Sequence, residues 1–147
     1  MVKILVVDDE QRIREMIRKY AEYEGFVVDE ACDGLEAVDK AMKENYDLIV
    51  MDIMMPNLAG FSACREIRKT HENIPVILLS ALGEEYDKIH GFDLGVDDYV
   101  VKPFSPKELM MRIHAILKRT SQSEKKELIK INDLTIDFTG RIVKIKD

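Results

Sequence analysis

The sequence predicts an α/β protein built on a doubly wound, five-stranded parallel sheet. Short, apolar, β-branched-rich runs alternate along the chain with segments in which apolar residues recur every three or four positions. Several of the strand-like runs are almost continuously apolar, which is typical of parallel strands covered by helices on both faces. Right-handed crossovers leave few ways of connecting such elements, and we expect the doubly wound arrangement among them.

The first half of the chain supplies three strands and two amphipathic helices. The first helix has Ile13, Met16, Ile17 and Tyr20 on one face, and the second has Leu35, Val38, Ala41 and Met42. In order, the predicted elements are a strand at 3–7, a helix ending near Gly25, a strand at 26–31, a helix opened by a capping box at Asp33–Glu36, and a strand at 48–52.

The second half repeats this alternation. Its predicted elements are a helix from Gly60, a strand at 75–79 that stops at Ser80, a weaker helix at 84–94, a strand at 98–101, and a helix at 105–119. The last helix is the best marked, because Ser105 can cap it and Pro106 suits its first helical position.

Composition limits the class of protein. The chain has 147 residues, of which 46% are hydrophobic, enough for one full core and a further fragment. Its net charge of -6 gives no electrostatic support for binding nucleic acid by itself. Cys32 and Cys64 lack the close spacing of a zinc or redox motif, so we expect two reduced, buried thiols. Without a signal segment or a membrane-length apolar run, a cytoplasmic protein with no membrane partner is expected.

Polar side chains stand where four of the predicted strands end. Asp8 and Asp9 follow the first strand, Asp52 ends the third, Ser80 follows the fourth and Lys102 the fifth. The carboxyl ends of parallel strands meet at one edge of the sheet, where a crevice forms at the switch in strand order. Each residue alone could be a helix cap, a turn residue or a surface charge. Together they predict one site.

Three carboxylates, one hydroxyl and one ammonium indicate phosphoryl chemistry. Clustered carboxylates repel one another and a single lysine cannot neutralise three, so the set calls for a hard divalent cation, with Mg²⁺ as the default. A phosphoryl group arriving at Asp52 would meet this cation, the Lys102 ammonium and the Ser80 hydroxyl. Asp52 is then the predicted nucleophile, which forms an acyl phosphate.

These residues closely resemble the receiver domain of two-component response regulators. The resemblance covers residues 1 to about 120 and rests on Asp8-Asp9, Asp52 with Met55-Pro56 and Gly60, Ser80-Ala81, and Lys102-Pro103-Phe104. It implies a flavodoxin-like fold and phosphorylation of Asp52 by a sensor histidine kinase. It also implies that Mg²⁺ is held by Asp9, Asp52 and the backbone carbonyl of Met54, with Asp8 acting largely through water.

The resemblance further implies a conformational switch. Ser80 and Tyr99 would form the switch pair, in which phosphate draws Ser80 inward and Tyr99 turns into the vacated space. The Lys102–Pro103 bond would be cis. Ala59 departs from the family pattern, which usually has an acidic residue before the glycine.

Within this family, the resemblance to the OmpR/PhoB subfamily implies a homodimer face on the helix at 84–94, the strand at 98–101 and the helix at 105–119. Its members are Lys88, Ile89, Phe92, Asp97, Asp98, Glu108, Met110, Arg112 and Arg119. The implied pairs across a two-fold axis are Lys88 with Glu108, Asp98 with Arg112, and Asp97 with Arg119. We expect phosphorylation to promote this dimer.

The end of the chain has a different sequence pattern from the predicted receiver domain at 1–119. Residues 120–127 contain no apolar side chain and are predicted to be a flexible linker. Residues 128–147 alternate apolar and polar with a turn at Thr139-Gly140, which predicts a β-hairpin without a core of its own. This fragment resembles the opening strands of the subfamily's winged-helix DNA-binding domain. Its recognition helix and wing are missing, so we expect promoter DNA to be bound only by the full-length domain.

Two other classes use related residues. A haloacid-dehalogenase-like, Mg²⁺-dependent phosphatase also has an aspartate nucleophile, but it needs a second acid two residues later, where this chain has Met54. Such an enzyme would hydrolyse many equivalents of phosphomonoester, whereas a receiver takes one phosphoryl group and loses it slowly. A flavodoxin-type binder needs a phosphate loop after the first strand, where the carboxylates of residues 8–10 would repel that phosphate. We therefore expect a signalling protein that catalyses only its own phosphorylation and dephosphorylation.

Overall fold

The computed structural model describes residues 1–81 and 97–132, with side chains described for 1–81 and 97–120. The strands in these ranges are β1 (Lys3–Val7), β2 (Val27–Ala31), β3 (Leu48–Asp52), β4 (Val76–Ala81) and β5 (Asp98–Lys102). The helices are α1 (Gln11–Tyr23), α2 (Gly34–Lys43), α3 (Gly60–Arg68) and α4 (Pro106–Asn132). The helix predicted at 84–94 lies outside the described residues.

The five strands form one sheet in the order β2-β1-β3-β4-β5, and all neighbouring strands are parallel. This order is that of a flavodoxin-like, doubly wound sheet, so the predicted fold class is confirmed. The chain winds outward from β1 to β2 and then crosses back to β3, so the switch in strand order lies between β1 and β3.

The core follows from the apolar runs of the central strands. Residues 4–7 of β1 and 48–51 of β3 are fully buried, because helices cover both faces of the sheet. Burying one such aliphatic side chain stabilises the fold by about 1.5–3 kcal/mol. The central strands therefore hold their carboxyl ends in fixed positions.

Helix α2 buries a face that overlaps the predicted one, since Ala41 is buried and Val38 packs against the core, but the buried face is shifted towards Gly34 and Ala37. Its buried residues are Gly34, Ala37 and Ala41, whereas the side chains of Leu35 and Met42 are 57% and 48% exposed. The reason is a close approach: the carbonyl oxygen of Leu58 occupies the space that a Cβ on Gly34 would need. Glycine is therefore required at position 34, while Leu35 and Met42 lie on the exposed side of the helix.

Strand β4 is longer than predicted. We expected a strand at 75–79, but β4 extends to Ala81 and pairs in register with β5, Ser80 with Val101 and Ala81 with Lys102. Ser80 is thus part of the sheet rather than of the loop after it.

Helix α4 begins as predicted but continues further. The backbone N–H of Glu108 donates to Ser105 Oγ at 3.3 Å, which confirms Ser105 as the cap. We expected the helix to end at 119 and a flexible linker to occupy 120–127, whereas the backbone is helical through Asn132. The Gln, Glu and Lys residues of this segment have high helix propensity, which explains the difference.

The chain divides into two compact units, Met1–Ile113 and a second unit that begins at His114. The strands of the predicted hairpin, at 134–138 and 141–145, lie outside the described residues, so the winged-helix fragment remains a prediction. Of the two thiols, Cys64 is buried as expected, whereas Cys32 is exposed. None of the helices in the described ranges is long and apolar enough to cross a bilayer.

Candidate phosphoryl-acceptor site

Three carboxylates converge at the switch in strand order. Asp8 and Asp9 follow β1, and Asp52 is the last residue of β3. One oxygen atom from each of the three lies within 4.8 Å of those of the other two. Asp8 is fully buried and Asp52 is 6% exposed, whereas Asp9 is exposed. The structure thus brings together the predicted acidic residues and leaves one of them open to solvent.

Lys102 reaches this cluster from the end of β5. Its Nζ lies 3.1 Å from Oδ2 of Asp8 and 3.4 Å from Oδ2 of Asp52. The Lys102–Pro103 peptide bond is cis, as the resemblance implied. Among the described residues, Lys102 is the cation paired with the two buried carboxylates. The pocket formed by Asp8, Asp9, Asp52 and Lys102 therefore carries more negative than positive charge.

Burial controls the ionisation of this pocket. It raises the pKa of Asp52 to about 6, and the Asp8 charge adds to this effect while Lys102 opposes it. Burial also raises the pKa of Asp8, against the backbone N–H of Glu10 and the Lys102 ammonium. For Lys102, burial lowers the pKa, but the charges of Asp52 and Asp8 outweigh it and the pKa is raised. Desolvation thus disfavours the charged forms of the two buried carboxylates, and Lys102 partly offsets this effect.

The donor set fits a hard divalent cation. Asp8 is already engaged, because Oδ1 accepts from the Glu10 backbone N–H at 2.9 Å and Oδ2 meets Lys102. The exposed Asp9 and the adjoining Asp52 present carboxylate oxygens beside it. Oxygen ligands and excess negative charge are what Mg²⁺ prefers in proteins. The cluster therefore matches Mg²⁺ in ligand type and in charge.

Ser80 lies beside this pocket on the neighbouring strand. Asp52 pairs in register with Leu79, so Ser80 lies one residue further along β4. Its side chain is buried, and Oγ donates a hydrogen bond to the Ala81 carbonyl oxygen at 3.2 Å. Tyr99 pairs in register with Leu78 on the other side of β4 and belongs to the buried apolar cluster. The two predicted switch residues thus occupy adjacent strands.

Six of the nine residues of the predicted dimer face are described, and Lys88, Ile89 and Phe92 lie outside the described residues. Met110 is buried, with 4% of its surface exposed, so, contrary to the prediction, its side chain is not on the surface of this face. Arg119 is exposed and belongs to the second compact unit.

Four charged residues of that face, Asp97, Asp98, Glu108 and Arg112, already have partners within the chain. Arg112 Nη1 lies 2.8 Å from Asp98 Oδ2, and Arg112 Nη2 lies 3.0 Å from Glu108 Oε2. Asp97 Oδ1 lies 3.7 Å from Arg68 Nη2. The interchain pairs that the resemblance implies would therefore replace or share these contacts.

The sequence patterns did not indicate two sets of contacts outside the acidic cluster, one at the loop after β1 and one at the loop after β3. Arg14 Nη1 donates to the backbone carbonyl of Asp8 at 2.8 Å, and Arg14 Nε lies 2.9 Å from Oε1 of Glu30. The Asn57 side-chain amide donates to Oδ2 of Asp33 at 2.6 Å. The sequence identified Asp33 only as a helix cap, because Asn57, its second hydrogen-bond partner, is distant along the chain.

The comparisons with known proteins agree with this geometry. Residues 4–114 match the response regulator receiver domain family. The chain is 51% identical over 121 residues to the transcriptional regulatory protein ResD of Bacillus subtilis, which covers 82% of this chain and 50% of ResD. It is 42% identical over 142 residues to the transcriptional regulatory protein SrrA of Staphylococcus aureus, which covers 92% of this chain and 58% of SrrA.

A solved structure of the receiver domain of the Francisella response regulator 1452 superimposes with a TM-score of 0.76 at 44% identity, covering 82% of this chain and 99% of that one. The chain spans about half the length of the curated relatives that it matches, 50% of ResD and 58% of SrrA. The alternative of a dehalogenase-like phosphatase is not supported by these relatives. The fold, the pocket and the match over residues 4–114 show that this chain belongs to the response regulator receiver family, with relatives that are transcriptional regulators.

Proposed function

We propose that Asp52 accepts a phosphoryl group from a sensor histidine kinase and that this event controls a transcriptional output. The observation that carries the proposal is the meeting of Asp8, Asp9, Asp52 and Lys102 in one pocket, with the distances given above. The names of the curated relatives, which are transcriptional regulatory proteins, support the nature of the output.

The side chains of the pocket have different roles in phosphoryl transfer. A carboxylate oxygen of Asp52 attacks the phosphorus, so a P–O bond forms, and the P–N bond to the kinase histidine breaks with its electron pair going to the imidazole nitrogen. Because burial raises the pKa of Asp52 to about 6, this carboxylate is mostly ionised at neutral pH yet poorly solvated. Lys102 can turn from Asp52 towards the phosphoryl oxygens, and the Ser80 hydroxyl can donate to one of them.

The proposed cation site is made by the same loops. Bound Mg²⁺ would supply electrostatic stabilisation of the phosphoryl oxygens. Asp9, Asp52 and the backbone carbonyl of Met54 would hold it, and Asp8 would act through water because both of its oxygens are engaged. Apart from acquiring and slowly losing this phosphoryl group, the protein would catalyse no turnover.

The proposal is tested by labelling the protein with phosphoramidate, with and without Mg²⁺. We expect one phosphoryl group per chain, loss of labelling when Mg²⁺ is chelated, and loss of labelling in Asp52→Asn. Asp39→Asn, which changes an exposed aspartate on α2, is the matched control and should be labelled like the wild type. Equal labelling of Asp52→Asn, or repeated turnover of the donor, would contradict the proposal.

The switch and the dimer are the expected consequences of phosphorylation. Ser80 would leave the Ala81 carbonyl to donate to the phosphoryl group, and Tyr99 on the neighbouring strand would follow. The face that contains Asp98, Glu108 and Arg112 would then pair with a second copy of the chain, in a homodimer. In this arrangement Arg112 exchanges its intrachain contact with Asp98 for a contact with Asp98 of the partner subunit.

Sedimentation with and without beryllofluoride, a mimic of the phosphoryl group, tests the dimer. We expect a rise in mass for the wild type and for Arg65→Ala, which changes an exposed arginine on α3. Arg112→Ala should dimerise much less, and Ser80→Ala should bind the mimic without dimerising. An unchanged mass in the wild type at micromolar concentration would reject this part of the proposal.

The rest of the proposed function lies outside the receiver. The protein would be phosphorylated in the cytoplasm, and promoter DNA would be bound by a winged-helix domain whose first strands would lie at 134–138 and 141–145. Protection of the backbone amides at 135–144 from hydrogen exchange would show whether these strands are ordered in a dilute monomer.

A further inference from the structure

The loop between β3 and α3, residues 53–59, is closed at its base. The backbone N–H of Gly60 donates to the carbonyl oxygen of Ile53 at 2.8 Å. A Cβ on Gly60 would overlap the carbonyl oxygen of Asp52, so only glycine lets α3 begin this close to the end of β3. The loop that contains Met54 is therefore anchored directly to the residue proposed to accept the phosphoryl group.

The tip of the same loop is fastened to the N-terminus of α2. Asn57 adopts a φ of 68°, a left-handed conformation that asparagine tolerates better than most residues. Its side-chain amide donates to Oδ2 of Asp33 at 2.6 Å, while Oδ1 of Asp33 accepts from the backbone N–H of Glu36 at 2.8 Å. Because Asp33 is the cap of a helix, Asn57 is tied to a rigid element.

Backbone contact strengthens this link. The carbonyl of Leu58 lies against Gly34, where it fills the space that a side chain would occupy. Two consecutive residues of the α2 terminus, Asp33 and Gly34, thus contact two consecutive residues of the loop. Met54 lies between Ile53, where Gly60 closes the base of the loop, and the tip at Asn57, so its backbone has little freedom relative to β3.

The β2–α2 corner, residues 30–34, is also linked through Arg14 to the loop after β1, which contains Asp8 and Asp9. Glu30 pairs with Arg14, and Arg14 donates to the backbone carbonyl of Asp8. The side chain of Lys40 donates to the Glu30 carbonyl and holds the corner itself. The β2–α2 corner is therefore linked to both loops that carry the proposed cation ligands, although its residues are not proposed ligands themselves.

We propose that the hydrogen bond between Asn57 and Asp33 is a positioning contact that fixes the Met54 carbonyl against Asp52 and Asp9 and thereby sets the affinity for Mg²⁺. This inference rests on the proposed function in one respect, namely that the cation binds at these residues. Hydrogen-bonded partners behind metal ligands commonly change metal affinity by about 10–100-fold when they are removed. Here the ligand is a backbone carbonyl, so the partner acts through the loop rather than through a side chain.

Asn57→Gly is the decisive variant. Glycine adopts the positive φ of residue 57 without strain, so the substitution removes the side-chain amide and leaves the backbone conformation available. Calorimetric titration with Mg²⁺ should give a dissociation constant about tenfold higher than that of the wild type. Tyr46→Phe is the matched control, because it removes a hydrogen bond of similar length, 2.7 Å to Asp29, away from the pocket. The control should bind Mg²⁺ like the wild type.

Two further measurements separate positioning from general stability. In phosphoramidate labelling, Asn57→Gly should need about tenfold more Mg²⁺ for half-maximal rate but reach the same rate at saturation. The double variant Asp33→Asn, Asn57→Asp exchanges donor and acceptor, since the amide at 33 can donate to the carboxylate at 57. We expect this exchange to restore the dissociation constant to within about threefold of the wild type.

The outcomes distinguish this inference from the proposed function. If the wild type binds no Mg²⁺, the proposed function itself fails. If the wild type binds Mg²⁺ and Asn57→Gly binds it equally well, only the positioning role is rejected. The role is also rejected if Tyr46→Phe weakens binding as much as Asn57→Gly, or if the exchanged pair binds no better than Asn57→Gly.

Discussion

Among the described residues, two lysines each pair with two carboxylates and do so in different places, Lys3 at the amino end of β1 and Lys102 at the carboxyl ends of β1 and β3. In the first, Lys3 contacts Glu44 and lies 3.7 Å from Asp29, and its ammonium lies 5.3 Å from the centre of the Tyr46 ring. The side chains of Lys3, Asp29 and Glu44 are 29%, 33% and 49% exposed, so water reaches all three.

The second place is the pocket, where Lys102 meets Asp8 and Asp52. These side chains are 23%, 0% and 8% exposed. The two clusters therefore have the same ingredients and differ in burial. Ion pairs in contact with water contribute little to stability, whereas buried carboxylates lose hydration that a single lysine does not fully replace. Such unfavourable burial is typical of functional sites, and here it coincides with the proposed phosphoryl acceptor.

The sharpest test of this contrast is Asp52→Asn without Mg²⁺. Burial raises the pKa of Asp52 from 3.8 to about 6, so the ionised carboxylate destabilises the fold above about pH 6 and has no such effect below about pH 4. We expect Asp52→Asn to raise the free energy of unfolding by about 3 kcal/mol at neutral pH, with the gain vanishing towards pH 4. Urea denaturation in the presence of a chelator measures it. A gain that is independent of pH would contradict the assignment.

Lys102→Met should have the next largest effect, in the opposite direction. It leaves two buried carboxylates without their cation, and because Lys102 is itself partly exposed we expect the free energy of unfolding to fall by about 2 kcal/mol at neutral pH, as for a lost hydrogen bond to a charged group. Part of this loss should be recovered near pH 5, where Asp52 is protonated. Lys69→Met, which changes an exposed lysine at the end of α3, is the control and should leave the urea midpoint unchanged.

In the exposed cluster, Tyr46→Phe probes the best-defined contact. The Tyr46 hydroxyl donates to Asp29 at 2.7 Å, and its loss should lower the free energy of unfolding by about 1 kcal/mol. Phosphoramidate labelling of Asp52 should be unaffected. A reduced labelling rate would show that the two ends of the sheet are coupled.

Lys3→Met should have the smallest effect of the four. Its partners remain hydrated when the ammonium is removed, so we expect no change in the urea midpoint beyond experimental error. A loss comparable with that of Lys102→Met would show that burial is not what distinguishes the two clusters.

The sheet and the pocket could be predicted from the sequence because both depend on local patterns. Apolar runs mark buried strands, and parallel strands must bring their carboxyl ends to one edge, which places Asp8, Asp52 and Lys102 together. The spacing of apolar residues predicted only part of the buried face of α2, namely Ala41 and the half-buried Val38, and did not predict that close approach to Leu58 requires glycine at position 34.

Two further features could not be predicted, for different reasons. The contact between Asp33 and Asn57 joins residues 24 positions apart, and Asp33 already has a complete local explanation as a cap. The extent of α4 was missed because polar residues at 120–127 are compatible with both a linker and a helix, and only the backbone shows which one forms.

The position of β5 in the sheet has a consequence for dynamics. In the described sheet β5 has a neighbour on one side only, whereas β3 lies between β1 and β4. Border strands open with less free energy than interior ones, so their amide hydrogens exchange with solvent sooner. Lys102 therefore lies on a strand whose hydrogen bonds can open locally and re-form. Asp52, in contrast, lies on an interior strand that opens only when the whole domain unfolds.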